Sequence, residues 1–516
     1  MDAGLVLLIV GWIFVLVWVP LVVLSQRKMH PKALFTLFFT EMWERFSFYG
    51  MRAFLILYMT DELFKLMERG EADSRAYGIY GAYNALLYAA PILGGMLADK
   101  LVGFRKAILV GGIFMALGQF TLGATIGNQS LFFIGLSLLA VGNGFFKPNI
   151  SSFLGTFYDR NDNRKDGAFT IFYMGINIGA LLAPLTCGYL AREVDWSLGF
   201  FTAGAGMVFG LIVFWYNMRI YEDKGNAPDP VKLKQPVFMG ISREWLVILG
   251  ALVTVPMFSF LINNEGITNY LLIIVGLSCI GYLVITSFQA EDRAEGQRLL
   301  VFIALFFFHM IFWVLFEQAG GSLNILTDRY VDKMGFETSQ FQAVNPFYII
   351  IFAPLFSWIW VRLGKAGIEP RTPIKFMLAL LQMALGYAII VFAVKSSAVS
   401  GEAIPLIFLM LMYMFHTTGE LSLSPVGLSV VTKLSPAKTV GFVMGAWFLS
   451  IAFAHKIGGY LGQLIAQPVG GTVDRASELH SFAGVYMNWG VYVVLGAAAL
   501  LLVISPVLKR WMHGIH

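Results

Sequence analysis

From Gly4 to Leu24 the chain runs 21 residues without a charge, and apolar runs near that length recur to its C-terminal end. About twenty such residues in a helix cross the roughly 30 Å of a bilayer's hydrocarbon core. Backbone N–H and C=O groups have no water to bond there, and a helix satisfies them within the segment. The 516 residues are 58% hydrophobic and 13% charged, against about 25% charged in ordinary soluble domains. These features define an all-α integral membrane protein with one membrane domain.

Apolar length and charged breaks place the spans. The leading run is predicted to be a transmembrane helix within residues 1–26; it lacks the basic n-region of a secretory signal and is expected to be retained. Six spans follow at roughly 33–60, 77–97, 106–127, 131–157, 167–190 and 197–219. The polar stretch "YEDKGNAPDPVKLKQP" (221–236) cannot span, since its prolines and charges break a helix. Two plain apolar runs come next, near 245–263 and 268–290, and then six more at about 299–327, 341–361, 376–394, 404–431, 440–467 and 483–507, fifteen in all. The domains read from this pattern are 1–26, a six-helix lobe at 30–220, a linker with two inserted helices at 221–298, and a second six-helix lobe at 299–510.

Cytoplasmic loops are enriched in Lys and Arg. With the N-terminus outside, the inner loops hold 24 basic residues and the outer loops 8. That bias supports an odd number of spans and a cytoplasmic C-terminus.

Several function classes are disfavoured. The net charge of +5 is scattered through short loops without an aromatic-rich basic groove, so no nucleic-acid partner is expected. Cys187 and Cys279 have neither disulfide nor metal-ligand spacing. His309, His416 and His455 lack an H-E-x-x-H pattern and are expected to be satisfied or merely packing histidines. No metal and no cofactor is expected. No G-x-S-x-G elbow points to a hydrolase, and the chain is not expected to be an enzyme.

The informative residues are the ionisable ones left inside spans: Arg45, Arg52, Lys147 and Lys456, with Glu41, Glu44, Glu317 and Glu420. Each costs roughly 2.5–3.5 kcal/mol at the bilayer centre, so such groups face a bundle interior and line a pathway. At 100° per residue, Glu41, Glu44, Arg45, Phe48 and Arg52 fall within an arc of about 100° over about 16 Å of helix. "GNGFFKPN" (142–149) surrounds Lys147 with Gly142, Gly144 and Pro148, a broken-helix pattern tolerated where it lines protein or water. In "FWVLFEQAGG" (312–321) Glu317 follows Trp313 by one turn, and in "HTTGELSLSP" (416–425) His416, Glu420 and Ser424 share a face. Lys456 lies opposite Trp447 on its helix and is expected to have a structural or snorkelling role. Gly175 and Gly179, four apart, predict close helix contact.

Taken together, several stretches resemble the proton-dependent oligopeptide transporter family of the major facilitator superfamily. "EMWERFSFYG" (41–50) is similar to its E-x-x-E-R-F-x-Y-Y-G signature, with Phe48 in place of the first tyrosine. "FTIFYMGINIGALLAP" (169–184) resembles its second signature, and "GELSLSPVGLS" (419–429) its tenth-helix motif. "GMLADKLVGFRK" (95–106) resembles the superfamily's loop between helices two and three, implying a gating role for Asp99 and Arg105. The motifs cover residues 30 to about 465 in family order.

The resemblance implies the major facilitator fold: two six-helix lobes around a cavity open to either side in turn, here with two inserted helices and an extra N-terminal helix. It implies a proton-coupled symporter importing di- and tripeptides, in the bacterial inner membrane and working as a monomer. Arg45, Arg52 and Lys147 match its pocket for the peptide carboxylate, and Glu420, Asn177 and Asn345 match positions that hold the amino-terminal end and backbone. Tyr49, Tyr88, Trp313, Ser424 and Trp447 match lining positions, and Glu41, Glu44 and Glu317 the proton-coupling carboxylates. A carrier of the same fold for another solute, such as nitrate or a glycosylated or drug-like compound, is the alternative. Glu420 alongside the cationic residues favours a zwitterion, since a bare anion would have no use for that carboxylate.

Overall fold

In the computed structural model, residues 2–159, 162, 164–238, 240–435, 440–467 and 474–515 are described. Among them, fourteen helices are long and apolar enough to cross a membrane. A fifteenth, α2, is as long and differs in carrying the buried charges. In chain order they are α1 (Ala3–Gln26), α2 (Lys32–Tyr58), α3 (Arg69–Leu97), α4 (Phe104–Ala124), α5 (Gln129–Gly155), α6 (Gly167–Glu193), α7 (Trp196–Tyr216), α8 (Arg243–Asn263) and α9 (Glu265–Gln289). They continue as α10 (Arg293–Tyr330), α11 (Val344–Lys365), α12 (Thr372–Ser400), α13 (Leu406–Leu434), α14 (Val440–Ala466) and α15 (Arg475–Trp511). Fourteen of the fifteen spans read from the sequence thus recur in the same order, and the remaining one, 33–60, is a helix of comparable length. The linker adds a small antiparallel hairpin, β1 (Pro236–Phe238) with β2 (Ile241–Ser242).

Helix ends are set by local chemistry. Asn128, Asp195, Ser242, Asp292 and Asp474 each accept a backbone N–H at the start of α5, α7, α8, α10 and α15, satisfying donors that have no partner inside a helix. Wide π turns at Ala98–Val102, Pro184–Gly188 and Tyr486–Val493 interrupt three of the spans or their ends, and such turns concentrate at functional or strained positions.

The helices gather into two compact units. The first comprises Met1–Lys65, Leu86–Asn264 and Met334–Pro346, the second Leu66–Ala85, Glu265–Lys333 and Phe347–His516. The units do not follow chain order: the first half of α3 groups with the later helices, and the inserted helices α8 and α9 fall one in each.

In the first unit, glycines bring helix backbones together. A Cβ at Gly179 would sit 2.2 Å from the carbonyl oxygen of Met42, and one at Gly175 would sit 2.8 Å from the Phe38 ring. The close contact expected of this pair is therefore between α6 and α2. Gly111 of α4 and Gly142 of α5 meet similarly, each Cβ position 2.6 Å from the other's carbonyl oxygen. Apolar helices gain nothing from lipid exclusion alone, so small residues that permit dense packing drive such association. Helix α1 lies against α6: the Trp12 indole donates to Thr186 Oγ1 at 2.9 Å, and Gln340 donates to the Gly4 carbonyl at 3.0 Å. Its other face, with Ile13, Leu16, Val17 and Leu21, is exposed. Helix α8 is tied to α4 by Lys106 and Glu244 at 2.6 Å. Arg164 pairs with Asp162 at 2.8 Å and holds that carboxyl down at about 2, while also reaching the Met29 carbonyl across to the loop after α1.

In the second unit, Arg329 at the end of α10 grips Asp73 of α3 with two nitrogens, at 2.5 and 2.7 Å, and also Glu478 of α15 at 2.7 Å. Helix α9 docks through Glu265, which accepts from Lys456 at 3.2 Å and Gln463 at 2.8 Å, both on α14. Lys456 therefore has the structural role its helical position predicted, with its partner on an inserted helix.

Replacing Gly179 by leucine forces α2 and α6 apart and is expected to cost about 1–3 kcal/mol, the range of overpacking. Detergent-solubilised protein should lose several degrees of apparent melting temperature, whereas Gly281→Ala, where a Cβ meets nothing within 4 Å, should leave it unchanged.

Candidate functional site

The charged stripe of α2 forms as one face of a regular helix. Glu41, Glu44, Arg45 and Arg52 are all buried, Glu44 completely. The Arg45 guanidinium is clasped by two carboxylates of its own helix, Glu41 at 3.1 Å and Glu44 in closer contact. Spacings of four and one residues allow both, because i+4 lies directly above i and the neighbouring glutamate bends toward the same arginine. Arg45 Nη2 and Glu41 Oε2 make no hydrogen bond among the described residues. Arg45 lies 5.7 Å from the ring of Phe48, and Arg52 the same distance from that of Tyr49.

Lys147 comes to this cluster from α5. It lies within Coulombic reach of Glu41 and Glu44, and its ammonium sits 4.1 Å over the ring of Tyr88, an attraction strengthened where water is scarce. Helix α5 continues through Pro148, so the break expected around Lys147 is not an unwinding. The glycines there instead serve contact: a Cβ on Gly144 would lie 2.9 Å from Ala90 of α3. Asn177, buried on α6, donates to the Tyr173 carbonyl, and Asn345 occupies the first turn of α11. Asp99 is exposed within the π turn after α3. Arg105 instead turns to the linker, donating to the carbonyls of Lys224, at 2.6 Å, and Glu222. All of these residues belong to the first unit.

The second unit holds the remaining predicted residues. Glu317 is buried in the tight 3-10 turn Glu317–Gly320, where the glycines that follow loosen α10. His455 of α14 places Nε2 at 3.9 Å from its carboxylate. Glu420 and Ser424 stand one turn apart on α13, both half-buried. Trp313 is half-buried on α10, and Trp447 is enclosed on α14, its ring 4.0 Å from that of His309.

Two participants escaped sequence reasoning. His309 bonds both Trp313 and Ser450, a satisfied histidine as expected, but one whose partners the sequence did not name. The available signal was its spacing of four from Trp313, which puts both on one helical face. His455 beside Glu317 had no local signal, since the two are far apart in sequence. His416 does pack, its ring 4.9 Å from that of Tyr387. Among the described residues no cluster of His, Cys, Asp and Glu has metal-binding geometry.

A helical chain of repeated membrane crossings, with acids and bases buried inside those crossings, has the build of a membrane carrier. Comparison with known proteins gives the class a family. The profile of the POT family (PTR2) matches residues 105–475. The transporter YclF of Bacillus subtilis is 37% identical over 496 residues, covering 94% of this chain and 96% of its own. The peptide transporter YePEPT of Yersinia enterocolitica is 36% identical over 502 residues, again covering 94% and 96%. A crystal structure of a peptide transporter POT in complex with sulfate superposes with a TM-score of 0.78 at 35% identity, covering 94% of this chain and 96% of that one. The chain belongs to the POT family, as its motifs suggested, and shares the fold of its solved members.

Removing one partner of a buried ion pair strands the other, at a cost on the order of 3–5 kcal/mol. Arg45→Met should therefore sharply lower the melting temperature of the purified protein. Adding Glu44→Gln to that variant should restore part of the loss; an equal or greater loss in the double variant would show that the clasp contributes nothing.

Proposed function

We propose that this protein is a proton-coupled symporter that imports di- and tripeptides by alternating access. The observation that carries the reading is the Arg45 clasp: a guanidinium buried between two carboxylates at ion-pair distance, whose Nε and Nη2 make no hydrogen bond among the described residues. Such a group is poised to exchange partners. A peptide carboxylate entering beside Arg45, Arg52 and Lys147 competes with Glu41 and Glu44 for the same cations. A displaced glutamate is stabilised by taking a proton, so cargo and proton are bound together.

Glu420, with Asn177 and Asn345, is assigned to the amino-terminal end and backbone of the peptide. Opposite poles suit a zwitterion, and because extended residues rise about 3.3–3.6 Å each, fixed poles favour two or three residues over longer chains. Tyr49, Tyr88, Trp313, Ser424 and Trp447 are assigned to the lining, which reads side chains loosely. Glu317 is assigned to proton coupling, and Asp99 and Arg105 to the gating loop. The lobes of 30–220 and 299–510 are assigned the alternating motion, with 221–298 as an inserted segment and 1–26 outside the transport core. The protein is placed as a monomer in a bacterial inner membrane, N-terminus outside and C-terminus in the cytoplasm.

The energetics are sufficient. A neutral zwitterion accompanied by one proton moves one positive charge inward, worth about 2.3 kcal/mol per 100 mV. At 1.4 kcal/mol per decade that supports roughly 50-fold accumulation.

In proteoliposomes with an imposed pH gradient, Glu317→Gln should abolish uphill peptide uptake while sparing exchange of labelled for unlabelled peptide; undiminished uphill uptake refutes its role. Glu420→Gln should blunt discrimination against N-acetylated dipeptide, and discrimination equal to the parent's removes Glu420 from the amino-terminal pole. Inhibition of uptake by nitrate rather than by dipeptides would favour the alternative cargo.

A further inference from the structure

A chain of three directed hydrogen bonds runs through the second unit beside two of the proposed lining residues. The Trp313 indole N–H meets His309 Nε2 at 2.8 Å. His309 Nδ1 meets Ser450 Oγ at 2.7 Å, and the Ser450 hydroxyl donates to the Trp447 carbonyl at 2.6 Å. Every proton in the chain is assigned by chemistry. An indole N–H can only donate, so Nε2 must present its lone pair. The imidazole proton is then on Nδ1 and is donated to Ser450, whose own proton goes on to the backbone.

The surroundings leave this arrangement little freedom. His309 and Ser450 are buried, and the Trp447 ring lies against the imidazole at 4.0 Å, tilted by 35°. Trp447 is itself hemmed in by Phe302 and by Gly427, where a Cβ would come within 2.9 Å of the indole. Trp313 is only half-buried, so the bond it donates to His309 singles out one of its side-chain rotamers. We infer that His309 is a positioning residue: through Trp313 Nε1 on one side and ring contact with Trp447 on the other, it fixes the aromatic wall that discriminates among peptide side chains. The inference rests on the reading that Trp313 and Trp447 face the cargo.

Two isosteres separate the nitrogens of His309. Glutamine places an amide oxygen near Nε2 and keeps the acceptor for Trp313, whereas asparagine keeps only a group near Nδ1 for Ser450. Exchange in proteoliposomes would be followed for di-alanine and for dipeptides carrying one aromatic side chain. His309→Asn should raise KM for the aromatic peptides about 10-fold relative to di-alanine with kcat maintained, a loss of roughly one contact's worth of binding. His309→Gln should stay near the parent, and His309→Asn should add nothing in a Trp313→Phe background, where the N–H is already gone. A second readout follows the Trp313 indole N–H itself by 15N NMR, with the signal assigned by its loss in Trp313→Phe. It should be shifted and slow to exchange in parent and His309→Gln, and should lose both properties in His309→Asn.

Equal changes for all peptides in both His309 variants, or an effect of His309→Asn that persists in Trp313→Phe, overturns the proposal. So does an indole signal indifferent to His309. If the indole responds as expected but Trp313→Ala leaves every KM unchanged, then Trp313 does not face the cargo. The specificity role then falls with that reading, while the hydrogen bond itself stands.

Discussion

An arginine sunk among apolar helices must be neutralised where it lies, and in this protein its own helix does so. Glu41 and Glu44 flank Arg45 within two turns of α2, so the charge is balanced before any neighbouring helix is in place. That local solution lets a span with four buried ionisable groups exist at all, given the cost of each alone. It also makes the cluster responsive, because two carboxylates sharing one guanidinium leave one or the other open to a competing cation or a proton. Lys147, held over Tyr88 on the neighbouring helices, supplies a second cation to the same balance. The tight seam between α2 and α6 at Gly179 sets the cluster's depth and orientation.

Much of this was legible in the chain. Hydrophobic length and charged breaks located the long helices in order, fourteen of them apolar enough to cross a membrane, because a bilayer imposes the same length requirement on each. Helical periodicity placed Glu41, Glu44, Arg45 and Arg52 on one face, and the spacing of Gly175 and Gly179 foretold a seam without naming its partner. Lys456 and Trp447 meet different partners, as their spacing on the helix predicts: Trp447 meets His309, while Lys456 meets Glu265.

What stayed hidden depends on distant side chains. No local pattern pairs Glu265 with Lys456, or His455 with Glu317, because residues this far apart meet only through helix packing. Arg105 reaches linker carbonyls, and backbone groups leave no signature in residue type. The glycines and proline beside Lys147 suggested a broken helix, yet α5 runs through them. Packing against α3 and α4 uses those glycines, and a proline whose freed carbonyl is satisfied by neighbours need not interrupt a membrane helix. A histidine is ambiguous by nature, and only its two partners reveal that His309 is a directional link.

The bare seam between α2 and α6 has a mechanical consequence. Where backbones touch without a cushion of side chains, neither helix can slide or roll against the other without collision, so the pair behaves as a single girder. A change in ionisation at Glu44 cannot be absorbed by a local shuffle of α2. Any stress at Glu44 is carried by the joined pair and not by α2 alone.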